Sequence, residues 1–304
     1  LIATFLRNPE PVCQPLANLI HDKTKGNPFF VTQFLKTLYA ERHIVLSPRE
    51  GWTWDIRKVR NLKVTENVVE FLAGKLGELE PETRRIIEIC ACIGSRFDAD
   101  TLVEIAGEPM DRVLTLLDLL ITEGFIHRRE DMYHFHHDRI QEAAYSLLSE
   151  EERTRLHHQI GLLRLKLALE GGLMDGIFTI ADHLNKAHAL ITAREERIRL
   201  ADLNLKAGLK ARDSTAYQAA VRYLEAGIEL LPEDAWQCEY TLTYTLHTML
   251  MECQYLSRNF DEAQHTFEII KEHAANRLDK ARAYTIMVEL YTTIRAPGDA
   301  IRLG

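Results

Sequence analysis

Cysteine is scarce in this chain: five among 304 residues, at positions 13, 90, 92, 238 and 253. The number is odd and the intervals are scattered, which argues against a disulfide framework and offers no zinc-ligand spacing. Cys90 and Cys92 sit two apart in a helical pattern and so point to different faces. The set reads as buried thiols in a reducing cytosol. Positive charge is also in short supply. The net charge is −8, against a sequence-independent grip on nucleic acid, which needs an excess of Lys and Arg. No apolar run reaches membrane-spanning length and no signal peptide is evident. No G-x-x-x-x-G-K-[ST] occurs, so no loop here cradles nucleotide phosphates and no Lys reaches a γ-phosphate. No acidic strand end reads as a Mg²⁺ ligand. The chain by itself is expected to be non-catalytic and cytoplasmic.

What is present is a globular composition, 46% hydrophobic and 27% charged, with length for two ordinary domains. The first residues, "LIATFLRNPEP", lack a Met, and the last, "TTIRAPGDAIRLG", read as a helix just begun. Both ends are expected to be internal to a longer protein.

The predicted fold is mainly α. Residues 12–41 carry two helical patterns, with Gly26 ending the first and Pro28 in the first turn of the second. "HIVLS" and "WTWD" flank "PREG" as a short hairpin, and 66–77 are helical again. From Pro81 three helices follow, "PETRRIIEICACIG", "DADTLVEIAG" and "PMDRVLTLLDLLITEG", the last stopped by Gly124. "FIHRR" and "DMYHF" then read as two strands around Glu130. Three helices and a two-stranded wing predict a winged helix. Beyond 136 no strand is expected. Ser149 and Glu152 form a capping-box pattern before a long helix, and paired helices follow. Their second members share an aromatic–Ala–bulky pattern: Tyr217, Ala220 and Tyr223; Phe260, Ala263 and Phe267; Ala300 begins it again. Stacked pairs of this kind make a tetratricopeptide-like superhelix with a concave face. The expected domains are 1–78, the C-terminal lid part of an ATPase module with a short hairpin; 79–148, a winged helix; and 149–304, helical repeats left incomplete.

The densest chemistry is "YHFHHDRIQEAAY", residues 133–145. His134, His136, His137 and Asp138 raise the question of a metal. His134 alternates with Tyr133 and Phe135 on a strand, while His136 and His137 are adjacent and diverge, so converging ligands are not expected. Polar residues that merely cap a helix, or a histidine set where the helix dipole also draws phosphate, are the other two readings. His157 and His158 read as surface or boundary residues of an amphipathic helix. Trp52 and Trp54 share one strand face and read as core. The recognition-helix candidate carries Asp111, Arg112, Asp118 and Glu123, which suits packing better than a major groove.

His-His-Asp at the end of a winged helix, followed by "RIQEAAY", resembles the Met-His-Asp motif of the signal-transduction ATPases with numerous domains. The resemblance implies that His137 contacts the β-phosphate of ADP with support from Asp138; His136 stands where that family has Met. "KTKGNPFF" resembles the Gly-x-Pro motif of the same lid, which makes Gly26, Asn27 and Pro28 the adenine side of the pocket. "GNPFFVTQFLKTLY", "WTWDIRKVR", "TENVVEFLAGKLGEL", "FHHDRIQEAAYSLL", "LADLNLKAGLKARDSTAYQAAVRYLEAG" and "FDEAQHTFEIIKEHA" together resemble bacterial multi-sensor signalling kinases. These join a Ser/Thr kinase-like domain, an AAA-type ATPase module, helical repeats, sensor domains and a histidine kinase. The resemblance implies ATP or ADP bound only with an upstream P-loop half, Mg²⁺ in the parent, and neighbouring kinase and sensor domains as partners. A protein or small-molecule effector would occupy the concave face. A nucleotide-independent scaffold and a maltose-regulator-type transcriptional activator are the alternatives.

Overall fold

The computed structural model describes residues 2–24, 26, 28–47, 51–61 and 68–293. Its elements are mainly helical and divide into two compact units, 1–149 and 150–304.

The first unit opens with α1 (Ile2–Leu6), α2 (Glu10–Thr24) and α3 (Pro28–Ala40). A hairpin follows, β1 (Ile44–Ser47) against β2 (Gly51–Trp54), then α4 (Ile56–Asn61) and α5 (Val68–Gly77). The apolar faces of these elements close on one core: Leu6, Leu16, Ile20, Phe34, Leu38, Ile44 and Val59 are fully or nearly fully buried, with Trp52 and Trp54 packed against them. Residues 48–50 of the hairpin turn, and 66–67 of the expected helix, lie outside the described residues.

The second half of this unit is α6 (Pro81–Ile93), β3 (Arg96–Phe97), α7 (Ala99–Ala106), α8 (Met110–Thr122), β4 (Ile126–Arg129), β5 (Met132–Phe135) and α9 (Asp138–Ser146). Each boundary has a local cause. Pro81 supplies a pre-set φ at the start of α6. The Asp98 carboxylate accepts the Thr101 N–H at 2.7 Å and caps α7, an arrangement worth about 1 kcal/mol. Gly124, at φ +80, sends its N–H to Ile121 O while Phe125 N–H reaches Leu120 O, a Schellman ending for α8. The wing differs from the expected two-stranded one. Its strand order is β3-β5-β4, because Arg96 and Phe97 pair with His134 and Tyr133. A two-residue strand carries no readable alternation. Phe97, Ile126, Tyr133 and Phe135 are buried on the inner face.

The second unit is helical throughout its described residues: α10 (Glu150–Gly171), α11 (Leu173–Lys186), a 3-10 turn (His188–Leu190), α12 (Arg194–Asp213), α13 (Tyr217–Glu229), α14 (Ala235–Cys238), α15 (Tyr240–Leu256), α16 (Phe260–His273) and α17 (Arg277–Thr293). Packed hairpins form from α10 with α11, α12 with α13, and α15 with α16. The first of these pairs was not legible in the sequence. One expected helix is split, since Glu239 at φ −123 and ψ 40 separates α14 from α15. Ala220 and Ala263, the small residues of the repeat pattern, are fully buried. Glycines provide still closer approaches. A Cβ on Gly161 would lie 2.6 Å from Leu184, one on Gly208 2.7 Å from Leu224, and one on Gly227 2.9 Å from Leu246. The repeat expected to begin at Ala300 lies outside the described residues.

Two readings of single residues are corrected. His157 is not at the surface: it is 2% exposed, and its Nδ1 lies 2.8 Å from Nδ1 of buried His183. The helical pattern of α10 could not reveal this, because its partner comes from α11. The cysteines are all free, but Cys238 is exposed rather than buried.

Candidate functional site

The passage from α2 into α3 is built backwards from Pro28. At the end of α2 the Thr24 hydroxyl donates to Ile20 O at 2.7 Å and accepts the Gly26 N–H at 3.3 Å. Gly26 adopts φ +75, and a Cβ there would meet the His21 ring at 3.0 Å, so both backbone and space favour glycine. Pro28 then opens α3 with its ring exposed. Asn27 lies outside the described residues. Gly26, Pro28, Gln14, Asn18 and His21 help to line a cleft of about 430 Å³. It offers an apolar ring face together with amide and imidazole groups.

The histidine cluster resolves into two parts. His137 is the N-cap of α9 in extended conformation, and its Nδ1 accepts the Arg139 N–H at 3.2 Å. When the imidazole is neutral its proton therefore sits on Nε2. Asp138 occupies the first, exposed position of α9, where its charge complements the helix dipole. His134 and His136 instead join His127, a residue outside the sequence motifs. The His127 ring is 5.4 Å from that of His134 and 4.7 Å from that of His136. Among the described residues no group of three or more His, Cys, Asp or Glu is disposed to hold a metal ion. Burial and the neighbouring His136, His134 and Arg129 all lower the pKa of His127.

Among the described residues, α3 meets the start of α9 through an aromatic contact. Phe30 is buried, and its ring centroid lies 5.2 Å from that of His137. Pro28 and Phe30 are two positions apart on α3, about 200° around the helix. The Gly-x-Pro cleft and His137 are thus connected through one helical turn. Phe30 lies in the Gly-x-Pro stretch, but only the fold reveals what its ring touches. Gln141 Nε2 donates to Ala91 O at 3.1 Å and ties α9 to α6, and α9 also packs on α5.

In the second unit the Asn185 and Asn204 amides exchange two hydrogen bonds of 2.8 Å. Asp202, Gln237, Tyr240 and Thr245 help to line a cleft of about 450 Å³.

No family model matches the chain. The curated hybrid signal transduction histidine kinase G of Dictyostelium discoideum is 26% identical over 331 aligned positions, which cover 88% of this chain. The chain spans about 10% of that protein's length. A solved signal-transduction ATPase with numerous domains and a tetratricopeptide repeat sensor, from Pyrococcus horikoshii, aligns with 95% of this chain and 46% of its own, at 12% identity and a TM-score of 0.43. Among the described residues no helix is long and apolar enough to cross a membrane.

Proposed function

We propose that this chain is a regulatory region of a signalling protein, in which the first unit senses the state of a bound nucleotide and the helical repeats carry protein interactions. The observation that carries the nucleotide reading is the Phe30–His137 contact. It joins the first turn of the Gly-x-Pro lid to the His-Asp pair at the start of α9, two motifs far apart in sequence. In this reading a P-loop domain upstream binds ADP or ATP with Mg²⁺. Gly26, Asn27 and Pro28 receive the adenine, and His137, with Nδ1 held by Arg139 N–H, presents its Nε2 proton to a phosphate. Asp138 follows it at the first position of α9. ADP would hold lid and winged helix together, and exchange for ATP would release them. The nucleotide shifts this balance only by its differential affinity for the two states. The similarity to a hybrid histidine kinase supports signalling as the setting, with a multidomain kinase as the parent.

The test uses the chain extended upstream to include a P-loop domain, purified as wild type and His137→Ala, then denatured to release nucleotide. ADP bound to the wild type at near one per chain and depleted at least about tenfold in the variant is expected, one charge-assisted hydrogen bond being worth roughly 1.5–3 kcal/mol. Equal ADP in both would reduce His137 to a helix cap, and absence of nucleotide from both would favour an interaction scaffold.

A further inference from the structure

The outer face of the wing sheet gathers charge of one kind. Register places Arg96, His134 and His127 in a single row across β3, β5 and β4. His136 follows His134 by two residues on the same face, and its ring packs on His127. Arg129 follows His127 by two and adds its charge nearby. Arg96, Arg129 and His136 are exposed, while His127 and His134 are half-buried. No carboxylate occupies these cross-strand positions. The acids around the face are engaged or lie at its border. Asp131 pairs with Arg128 at 3.6 Å, and the exposed Glu130 lies in the turn between β4 and β5. Asp98 accepts both donors of Thr101, and Asp138 starts α9. Behind the sheet α8 turns the apolar Val113, Leu117 and Leu120 inward.

An imidazole enclosed against two further imidazoles and beside two guanidinium groups is a poor place for a positive charge. His127 shows this most clearly. Its pKa is lowered, first by burial and then by its neighbours, and its enclosed Nδ1 finds no hydrogen-bond partner among the described residues. An anion laid on the face would reverse the balance by countering the repulsion and rewarding protonation. We propose that this face binds an oligophosphate anion, and that binding draws a proton onto His127. Strand spacing makes the Arg96–His134–His127 row about 10 Å long, the scale of a short phosphate chain. The two Arg forks suit phosphate oxygens. The exposed surface of α8 carries Asp111 and Asp118, which disfavours a long nucleic acid and points to a free oligophosphate. The site is separate from the nucleotide lid, since His137 turns toward Phe30.

The sign follows from linkage. Groups whose pKa rises in the complex strengthen binding as pH falls. Calorimetric titration of the 304-residue chain with inorganic tripolyphosphate, at roughly pH 5.5 and pH 8, should give at least about tenfold tighter binding in acid, with proton uptake seen as a dependence of the heat on buffer ionisation. Arg96→Ala/Arg129→Ala, both at exposed positions, should lose binding at either pH. His127→Gln/His134→Gln should keep weak binding and lose its pH dependence; unaltered melting would show each variant to be folded. An oligonucleotide that binds more tightly than tripolyphosphate would make nucleic acid the phosphate source. Absence of binding at pH 5.5, equal affinity at both pH values, unchanged binding in the arginine variant, or preference for a Glu-rich peptide would each overturn the proposal.

Discussion

Two histidines with the same sequence context behave differently because of what each one meets. His157 is sealed against His183 in the α10–α11 hairpin, and its pKa falls to about 4, chiefly by burial, with Lys186 and Arg153 adding to the effect. His158, one residue on, is half-buried. The linkage sign for His157 is that of a base held neutral. The unfolded chain protonates near the ordinary value of about 6.5, while the folded chain resists until near 4. Stability is therefore lost as pH falls from about 6.5 to about 4, by up to about 3 kcal/mol. Urea unfolding at a series of pH values should show this slope, and His157→Leu/His183→Leu should flatten it. An identical slope in the double variant would mean that other groups set the acid response.

At the scale of elements, the repeat hairpins are held by close approach as well as by area. Gly208 on α12 faces Leu224 on α13, and an added Cβ would stand 2.7 Å from its Cγ. Helical propensity alone makes Gly→Ala favourable by up to about 1 kcal/mol. Overpacking at a fixed interface costs about 1–3 kcal/mol, and at this distance the clash should win. Gly208→Ala is expected to lower the melting temperature of the chain by several degrees, whereas Gly74→Ala, where a Cβ would meet nothing, should not. Leu224→Ala added to Gly208→Ala should destabilise less than the two single changes summed, because the clash disappears. Strict additivity would show that the helices separate freely. The end of α2 obeys the same logic, since Thr24, Gly26 and the His21 ring fix the path toward Pro28.

At the scale of the whole molecule, each unit contains its own cores. One core of the second unit runs from Ile177 to Cys253 and another from Met251 to Met287. Both draw their buried residues from that unit alone. A chain beginning at Ser149 is therefore expected to express as a folded, helical protein with a cooperative thermal transition. A molten, non-cooperative melt would show that its order depends on residues before 149. Folding from nearest-neighbour contacts is what stacked helical hairpins predict.

The mainly helical class, the winged-helix order of elements, the β1–β2 hairpin and the buried Ala220 and Ala263 were legible because each rests on local rules. Hydrophobic period, Pro81, Gly124 and the turn residues act within a few positions. The Gly26–Pro28 turn and the His137 cap of α9 were legible for the same reason. The contacts that bear on function were not, because they join residues distant along the chain. Nothing local marks Phe30 as the ring against His137, pairs Arg96 with His134, or brings His183 to His157. Strand register and helix packing made those choices. Register sends every second side chain to one face, so that a row forms only when three strands align. Burial of a polar group becomes tolerable only when the fold supplies its partner.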